Sequence, residues 1–257
     1  MISLARLAAA LALAYSLALP GLAAADEPVD LELVLAIDAS TSVDTDEFNL
    51  QRAGLAAAFR HPDVIGAIHA AGERGVAITL LQWSGRGRQR VSVDWTLIRD
   101  AASASRLADR IDVAPRLVTG LTDIAGAVRY SLSLLQDNGF RGYRQVIDVS
   151  GDGSGDAPSA ELARNAAIAR GVTVNGLVIY NEDIDLGALA KLDIRNHYAD
   201  HVIGGPGAFL MTADDFVDFQ VAIRRKLVRE IMGPATAQLR SSVGHAESHL
   251  LKWETVP

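Results

Sequence analysis

The sequence contains no cysteine in 257 residues. That excludes disulfides and every metal site built on thiolates. It also excludes lipid attachment by the bacterial lipoprotein route, which needs a cysteine after the apolar leader. Basic residues are outnumbered, and the formal net charge is -7. A general nucleic-acid binder draws its affinity from a basic face, so that class is excluded, whereas solubility is favoured. There is no internal repeat, no low-complexity linker and no G-x-G-x-x-G spacing. Beyond the N-terminal leader no segment is apolar and long enough to cross a membrane, so no span is expected in the mature chain.

The leader itself reads "MISLARLAAALALAYSLALPGLAAADEP". One positive charge, Arg6, precedes an apolar run from Leu7 to Leu19, and a small-residue site, Ala23-Ala24-Ala25, follows. This is the layout of a cleaved secretory signal, and the run is short for a membrane helix. We therefore expect residues 1–25 to be a signal peptide and the mature chain to begin near Asp26. The product is expected to be exported, either periplasmic or secreted. What remains, about 230 residues, suits one domain over 26–233 and a tail over 234–257 without clear periodicity. A hydrophobic fraction of 49% lets such a domain rely on its core alone.

Branched apolar runs alternate with Ala/Leu-rich stretches of helical period. The first run, Leu31 to Ile37, is followed by "TDEFNLQRAGLAAAFR", where Phe48, Leu55 and Phe59 share a face and Asp44 pairs with Glu47 as a cap. His61-Pro62 breaks that helix and Pro62 opens another. "GVAITLLQW" and "RQRVSVDW" read as a hairpin across "SGRG". "RDAASASRLADRID", "TDIAGAVRYSLSLLQD", "APSAELARNAAIAR" and "LGALAKLDI" read as helices. "RQVIDVS", "GVTVNGLVIY" and "GAFLMTA" read as strands, and "DDFVDFQVAIRRKLVREIM" as a last long helix with Arg224, Arg225 and Lys226 on an exposed polar face. The alternation predicts an α/β fold: a doubly wound, mostly parallel sheet covered on both faces, with the hairpin placing one antiparallel strand at an edge.

In such sheets ligands bind beyond the carboxyl ends of the strands. The first strand ends in "AIDASTSVD", offering Asp38, Ser40 and Ser42 at alternate positions. "RQVIDVS" ends at Asp152 in "SGDGSGD", and Thr122 stands at the start of the helix in "GLTDIAG". Two carboxylates and three hydroxyls form an all-oxygen set, suited to a hard divalent ion and unlike the His or Cys sets of zinc. An ion held mainly by hydroxyls stays electron-poor and has room for a carboxylate from a partner.

Asp38-Ala39-Ser40-Thr41-Ser42, Thr122 and Asp152-Gly153 together resemble the metal-ion-dependent adhesion site of the von Willebrand factor type A domain. The resemblance runs from about Leu31 to Gly233. "QWSG", "VIDVSGDG", "GVTVNGLVI" and "HVIGGPGAF" carry a narrower likeness to a bacterial branch of exported proteins of unknown function with this domain. The resemblance implies six strands with one antiparallel edge, Mg²⁺ or Mn²⁺ at the top, and a protein ligand presenting a carboxylate. Ser40, Ser42 and Thr122 would touch the ion directly, and Asp38 and Asp152 often through water. Relatives commonly carry Thr-Asp-Gly where this chain has Gly151-Asp152-Gly153. A hydroxyl is thus missing, and Ser150 and Ser154 are the candidates to supply it.

Competing readings explain less. Asp38, Ser40 and Ser42 also suit a helix N-terminus. "GDGSGD" resembles an anion-cradling turn, but Asp152 and Asp156 repel phosphate. "HAESH" (His245 to His249) misses the H-E-x-x-H spacing, and "GGPG" reads as a turn. His197 and His201 read as surface residues at a strand entry. "WSGRGRQR" reads as a solvated loop, or as a partner-contact rim of Trp83, Arg86 and Arg88 favouring an acidic partner. The expected function is therefore an exported, metal-dependent binding module and not an enzyme. The alternatives are a Mg²⁺-dependent hydrolase or phosphoryl-transfer enzyme, for which no nucleophile-base pair or Asp-x-Asp is seen, and a structural subunit stabilised by its metal.

Overall fold

The computed structural model describes residues 25–180 and 188–233. Nearly all of the expected leader, the 234–257 tail and the "HAESH" stretch lie outside the described residues.

The first half of the chain forms β1 (Glu27–Asp38), α1 (Thr45–Arg60), α2 (Pro62–Ala71), β2 (Val76–Trp83), β3 (Gln89–Ile98) and α3 (Ala101–Asp112). The second half forms α4 (Ile124–Leu134), β4 (Phe140–Gly151), α5 (Ala157–Ile168), β5 (Thr173–Ile179), α6 (Ala188–His197) and β6 (Leu210–Ala213). A final helix, α7, spans residues 219–233. The six strands form one sheet in the order β3-β2-β1-β4-β5-β6. Every pairing is parallel except β2 with β3. The expected α/β fold, with its single antiparallel edge, is the fold observed.

Burial explains the arrangement. β2 is buried at every position and β1 at every position from Leu31 to Asp38, so both faces are covered. One face packs against α1, α2, α3 and α7 through residues such as Leu33, Leu35, Phe59, Leu107 and Phe219. The other packs against α4, α5 and the end of α6 through Val34, Ala36, Val128, Ile147 and Tyr198. Each large apolar side chain fully buried contributes about 1.5–3 kcal/mol, so this core needs no covalent staple. Capping is local and strong at α1, where Asp44 accepts from the Glu47 amide at 2.8 Å and Glu47 accepts from the Asp44 amide at 2.6 Å.

β1 sends the chain to β2 on one side, and its other neighbour is β4. Strand order reverses there, and a crevice opens at the carboxyl ends. Asp38 pairs with Trp83 and Ile37 with Ser150, so β1, β2 and β4 end side by side.

Three expectations need correction. The last helix begins at 219 and not near Asp214, because Asp215 closes a separate turn by accepting from the Asp218 amide. Lys226 is not exposed: it is fully buried and ion-paired with Asp148 of β4 and Glu230 of α7. His197 and His201 lie at the end of α6 and in the π-helical turn Tyr198–Val202 that follows it, not at a strand entry.

Candidate metal centre

Three loops meet above the crevice. Alternation along β1 turns Asp38 toward the α4/α5 face, the face that Ala36 also occupies. The Asp38 side chain is fully buried, and its Oδ1 accepts from the Ser40 amide at 2.7 Å, which curls the loop back over the strand end. The Ser40 and Ser42 hydroxyls are 3.0 Å apart. Ser42 in turn donates to Asp152 Oδ1 at 2.8 Å, joining the β1 loop to the β4 loop. Thr41 ties in the third loop, its amide and hydroxyl both donating to the Gly120 carbonyl at 2.8 and 2.9 Å. Thr122 lies just beyond, outside α4, whose cap is Asp123. Thr122 Oγ1 is 3.4 Å from where a Cβ on Gly153 would sit, which sets it beside the Asp152 loop.

Asp38 and Asp152 are both buried. Burial pushes the Asp38 carboxyl up, the neighbouring Asp152 charge pushes it further, and it reaches about 8 despite hydrogen bonds from Ser40 and the Asp152 backbone. Among the described residues Asp38 Oδ2 has no hydrogen-bond partner. A buried carboxylate oxygen left without a donor, as at Asp38, costs free energy, and a divalent ion between two buried acids relieves it. The described residues contain no cluster of three or more His, Asp or Glu side chains suited to a metal. Any ion here depends on hydroxyl oxygens as well as the two acids, and the set present fits a hard ion.

Arg116 holds the loop in shape, and nothing local in the sequence marks it. Its guanidinium donates to the carbonyls of Ala39 (3.0 Å), Ser40 (2.8 Å), Val43 (2.8 Å) and Asp44 (3.2 Å). It also lies over the Phe48 ring, 5.4 Å from the centroid. Gln51 adds a bond from Nε2 to the Asp38 carbonyl at 3.3 Å. From the far side His197 Nε2 accepts from the Gly155 amide at 3.3 Å.

The expected rim divides. Arg86 and Arg88 are exposed in the β2–β3 turn. Arg88 lies against Gly120, its Cδ 3.2 Å from that residue's Cβ position, which places it next to the Thr122 loop. Trp83 does not belong to a contact rim: it is fully buried, its indole N–H donating to the Ala36 carbonyl at 3.1 Å. Leu121, beside Thr122, is 83% exposed and was not singled out by sequence. Of the candidates for the missing hydroxyl, Ser150 points to the opposite sheet face from Gly151, and Ser154 stands exposed in the loop beyond. A cavity of about 460 Å³ lies away from these loops, around Arg144, Phe209 and Glu230.

Residues 28–235 match the model of a protein family of unknown function, DUF1194. The chain belongs to that family. No curated protein is similar to it in sequence. Among solved structures it is similar to the pilus adhesin SpaC from Lactobacillus rhamnosus GG, with a TM-score of 0.55, 14% identity and coverage of 79% of this chain and 31% of that one. A von Willebrand factor type A protein from Catenulispora acidiphila gives a TM-score of 0.52 at 14% identity, over 80% of this chain and 43% of that one. Proximal thread matrix protein 1 from the mussel byssus, with a zinc-occupied MIDAS motif, gives 0.51 at 14% identity, over 79% of this chain and 46% of that one. The DUF1194 chain thus has a von Willebrand factor type A-like fold and spans less than half the length of each of these three structures.

Proposed function

We propose that this DUF1194 protein is an exported binding module that captures an acidic group of a partner protein through one Mg²⁺ or Mn²⁺ ion. Asp38, Ser40, Ser42, Thr122 and Asp152 would hold the ion. The observation that carries the reading is the buried, unpartnered Asp38 Oδ2 beside a second buried acid, under a hydroxyl chain running from Ser40 through Ser42 to Asp152. When bound, the ion supplies a positive charge with coordination positions left for an outside carboxylate.

The protein's own residues do the rest. Asp38 and Asp152 concentrate negative charge where it attracts a cation and repels itself without one. Ser40, Ser42 and Thr122 contribute oxygens without charge. Arg116 fixes the loop through four carbonyls, so the hydroxyls stand ready. Arg88 gives the face a positive border and Leu121 an apolar contact, a combination that suits a protein segment carrying a carboxylate. Arg86 extends the positive border along the same turn.

Binding is favoured over turnover because no imidazole among the described residues stands free at the site. His197, the nearest imidazole to the Asp152 loop, is engaged by the Gly155 amide. The adhesin and the byssus matrix protein share the fold, which supports adhesion at the level of fold analogy. Export rests on the leader in residues 1–25.

The test is calorimetric titration of MnCl₂ and MgCl₂ into chelator-treated mature protein. One site, lost in Asp38→Ala, is the expected result. Absence of heat at millimolar metal, with no shift in melting temperature, overturns the proposal.

A further inference from the structure

Gly151 ends β4 with no side chain at the most crowded point of the centre. A Cβ there would meet the Tyr198 hydroxyl at 2.8 Å, Asp38 Oδ2 at 2.9 Å and Trp83 Cζ2 at 3.1 Å. The Tyr198 and Asp38 oxygens therefore crowd one point from two sides. Both belong to fully buried side chains, and among the described residues neither has a hydrogen-bond partner. Unpaired oxygens are rare inside proteins, and two beside the same glycine call for an explanation. A phenol has one O–H to give, and a carboxylate oxygen has lone pairs to accept it.

The carrier of Tyr198 is equally unusual. It opens the π-helical turn Tyr198–Val202, a rare geometry that recurs at functional sites. The preceding residue, His197, bonds to the Gly155 amide, so two successive side chains of this turn reach the β4 loop. Tyr198 belongs to the buried cluster on the α4/α5 face, and its ring lies against β5, with Cδ1 3.0 Å from where a Cβ on Gly176 would sit. Its position is fixed by packing and does not depend on the hydroxyl.

We propose that Tyr198 is a positioning residue for the metal centre: its hydroxyl donates to Asp38 Oδ2 in the metal-bound centre, and Gly151 is bare to let it approach. This rests on the metal-centre reading above. Tyr198 reaches the ion only through Asp38 and is not itself a ligand. The hydroxyl missing at position 151 comes instead from the β5–β6 connection.

The experiment pairs Tyr198→Phe with Gly151→Ala, alone and combined. Tyr198→Phe keeps the ring and deletes one oxygen. Mn²⁺ affinity by calorimetry should fall about tenfold, the lower range for loss of a supporting hydrogen bond at a metal site. The metal-free melting temperature should hold or rise, since an unpaired buried oxygen has gone. Gly151→Ala should lower the melting temperature, and by less in the Tyr198→Phe background, because the closest clash is with the deleted oxygen. Unchanged Mn²⁺ affinity in Tyr198→Phe, with wild type binding normally, overturns the positioning role and leaves the metal centre standing. Wild-type protein that takes no Mn²⁺ overturns both. Strictly additive melting shifts overturn the pairing of Gly151 with Tyr198 whether or not metal binds.

Discussion

The Ser42 hydroxyl donates to Asp152 Oδ1 at 2.8 Å across 110 positions of sequence. That single bond closes the β1 loop onto the β4 loop and leaves the Ser42 oxygen 3.0 Å from that of Ser40. Ser42 is exposed, so its worth lies in geometry and not in burial. Ser42→Ala should weaken Mn²⁺ binding about 10- to 100-fold, as expected for a group that ligates or orients ligands. Melting of the metal-free protein should barely move. Calorimetry and a thermal melt on one sample decide it, and a large loss of stability with intact affinity would contradict the role.

Arg116 makes the opposite prediction. Its guanidinium serves four loop carbonyls, three of them within 3.0 Å. Removing it takes the donor from the Ala39 and Val43 carbonyls, while those of Ser40 and Asp44 keep the Val43 and Phe48 amides at 3.2 and 3.1 Å. Arg116→Ala should cost about 2–4 kcal/mol in urea denaturation, because hydrogen bonds from a charged group are individually strong and their loss strands acceptors. Arg116→Lys should recover little, since an ammonium cannot span the planar fork. A loss below about 0.5 kcal/mol, the size of an ordinary surface substitution, would show the clamp to be incidental.

Asp38 ties function to instability. Its folded pKa of about 8 lies far above the ordinary 3.8, so the metal-free native state holds a proton that the unfolded chain gives up. Stability is therefore full below the unfolded value and is lost as pH rises through the folded one. Asp38→Asn removes the charge for good. The metal-free mutant should gain on wild type steadily from pH 5 to about pH 8 in thermal melts, while losing Mn²⁺ binding. Saturating Mn²⁺ should reverse the order, since metal at about 100 times its Kd stabilises by about 2.7 kcal/mol. A constant gap across that pH range would mean that Asp38 ionises freely in the fold.

These contrasts mirror what was legible in the sequence. Strand-end oxygens at alternate positions, Asp38, Ser40 and Ser42, are a local pattern, and the fold placed them together. Helix α1 and its Asp44–Glu47 cap were equally local. Arg116 was invisible because it lies in a loop and meets its carbonyls more than 70 positions away. Trp83 read as rim because it precedes a polar turn, but pairing with Asp38 puts it under the site. Leu121 carries no pattern at all. Lys226 read as surface because charges on a helix usually are. Only the fold reveals Asp148 of β4 waiting behind it.

That buried cluster supplies the last prediction. Lys226 sits between Asp148 and Glu230, and Asn175 donates to Glu230 at 2.9 Å. Two acids share one base, so one carboxyl is left in excess. Burial pushes the Glu230 carboxyl up and the Asp148 charge adds to it; Lys226 opposes them, and it settles at about 7, above the ordinary 4.5. A raised carboxyl contributes stability that is full below 4.5 and lost as pH climbs through about 7. Glu230→Gln keeps an acceptor for Asn175 and removes the excess charge, leaving Lys226 paired with Asp148. Its melting temperature relative to wild type should climb from pH 5 and level off above about 7, one unit before the Asp38→Asn curve does. Both proteins retain Asp38, so the difference between their curves isolates Glu230. Glu230 lies on α7 and, among the described residues, shares no hydrogen bond with the metal loops, and Mn²⁺ affinity at fixed pH should stay unchanged. A gap that stays flat with pH would mean that Lys226 keeps Glu230 charged throughout, and that the cluster holds its second negative charge at no cost to the fold.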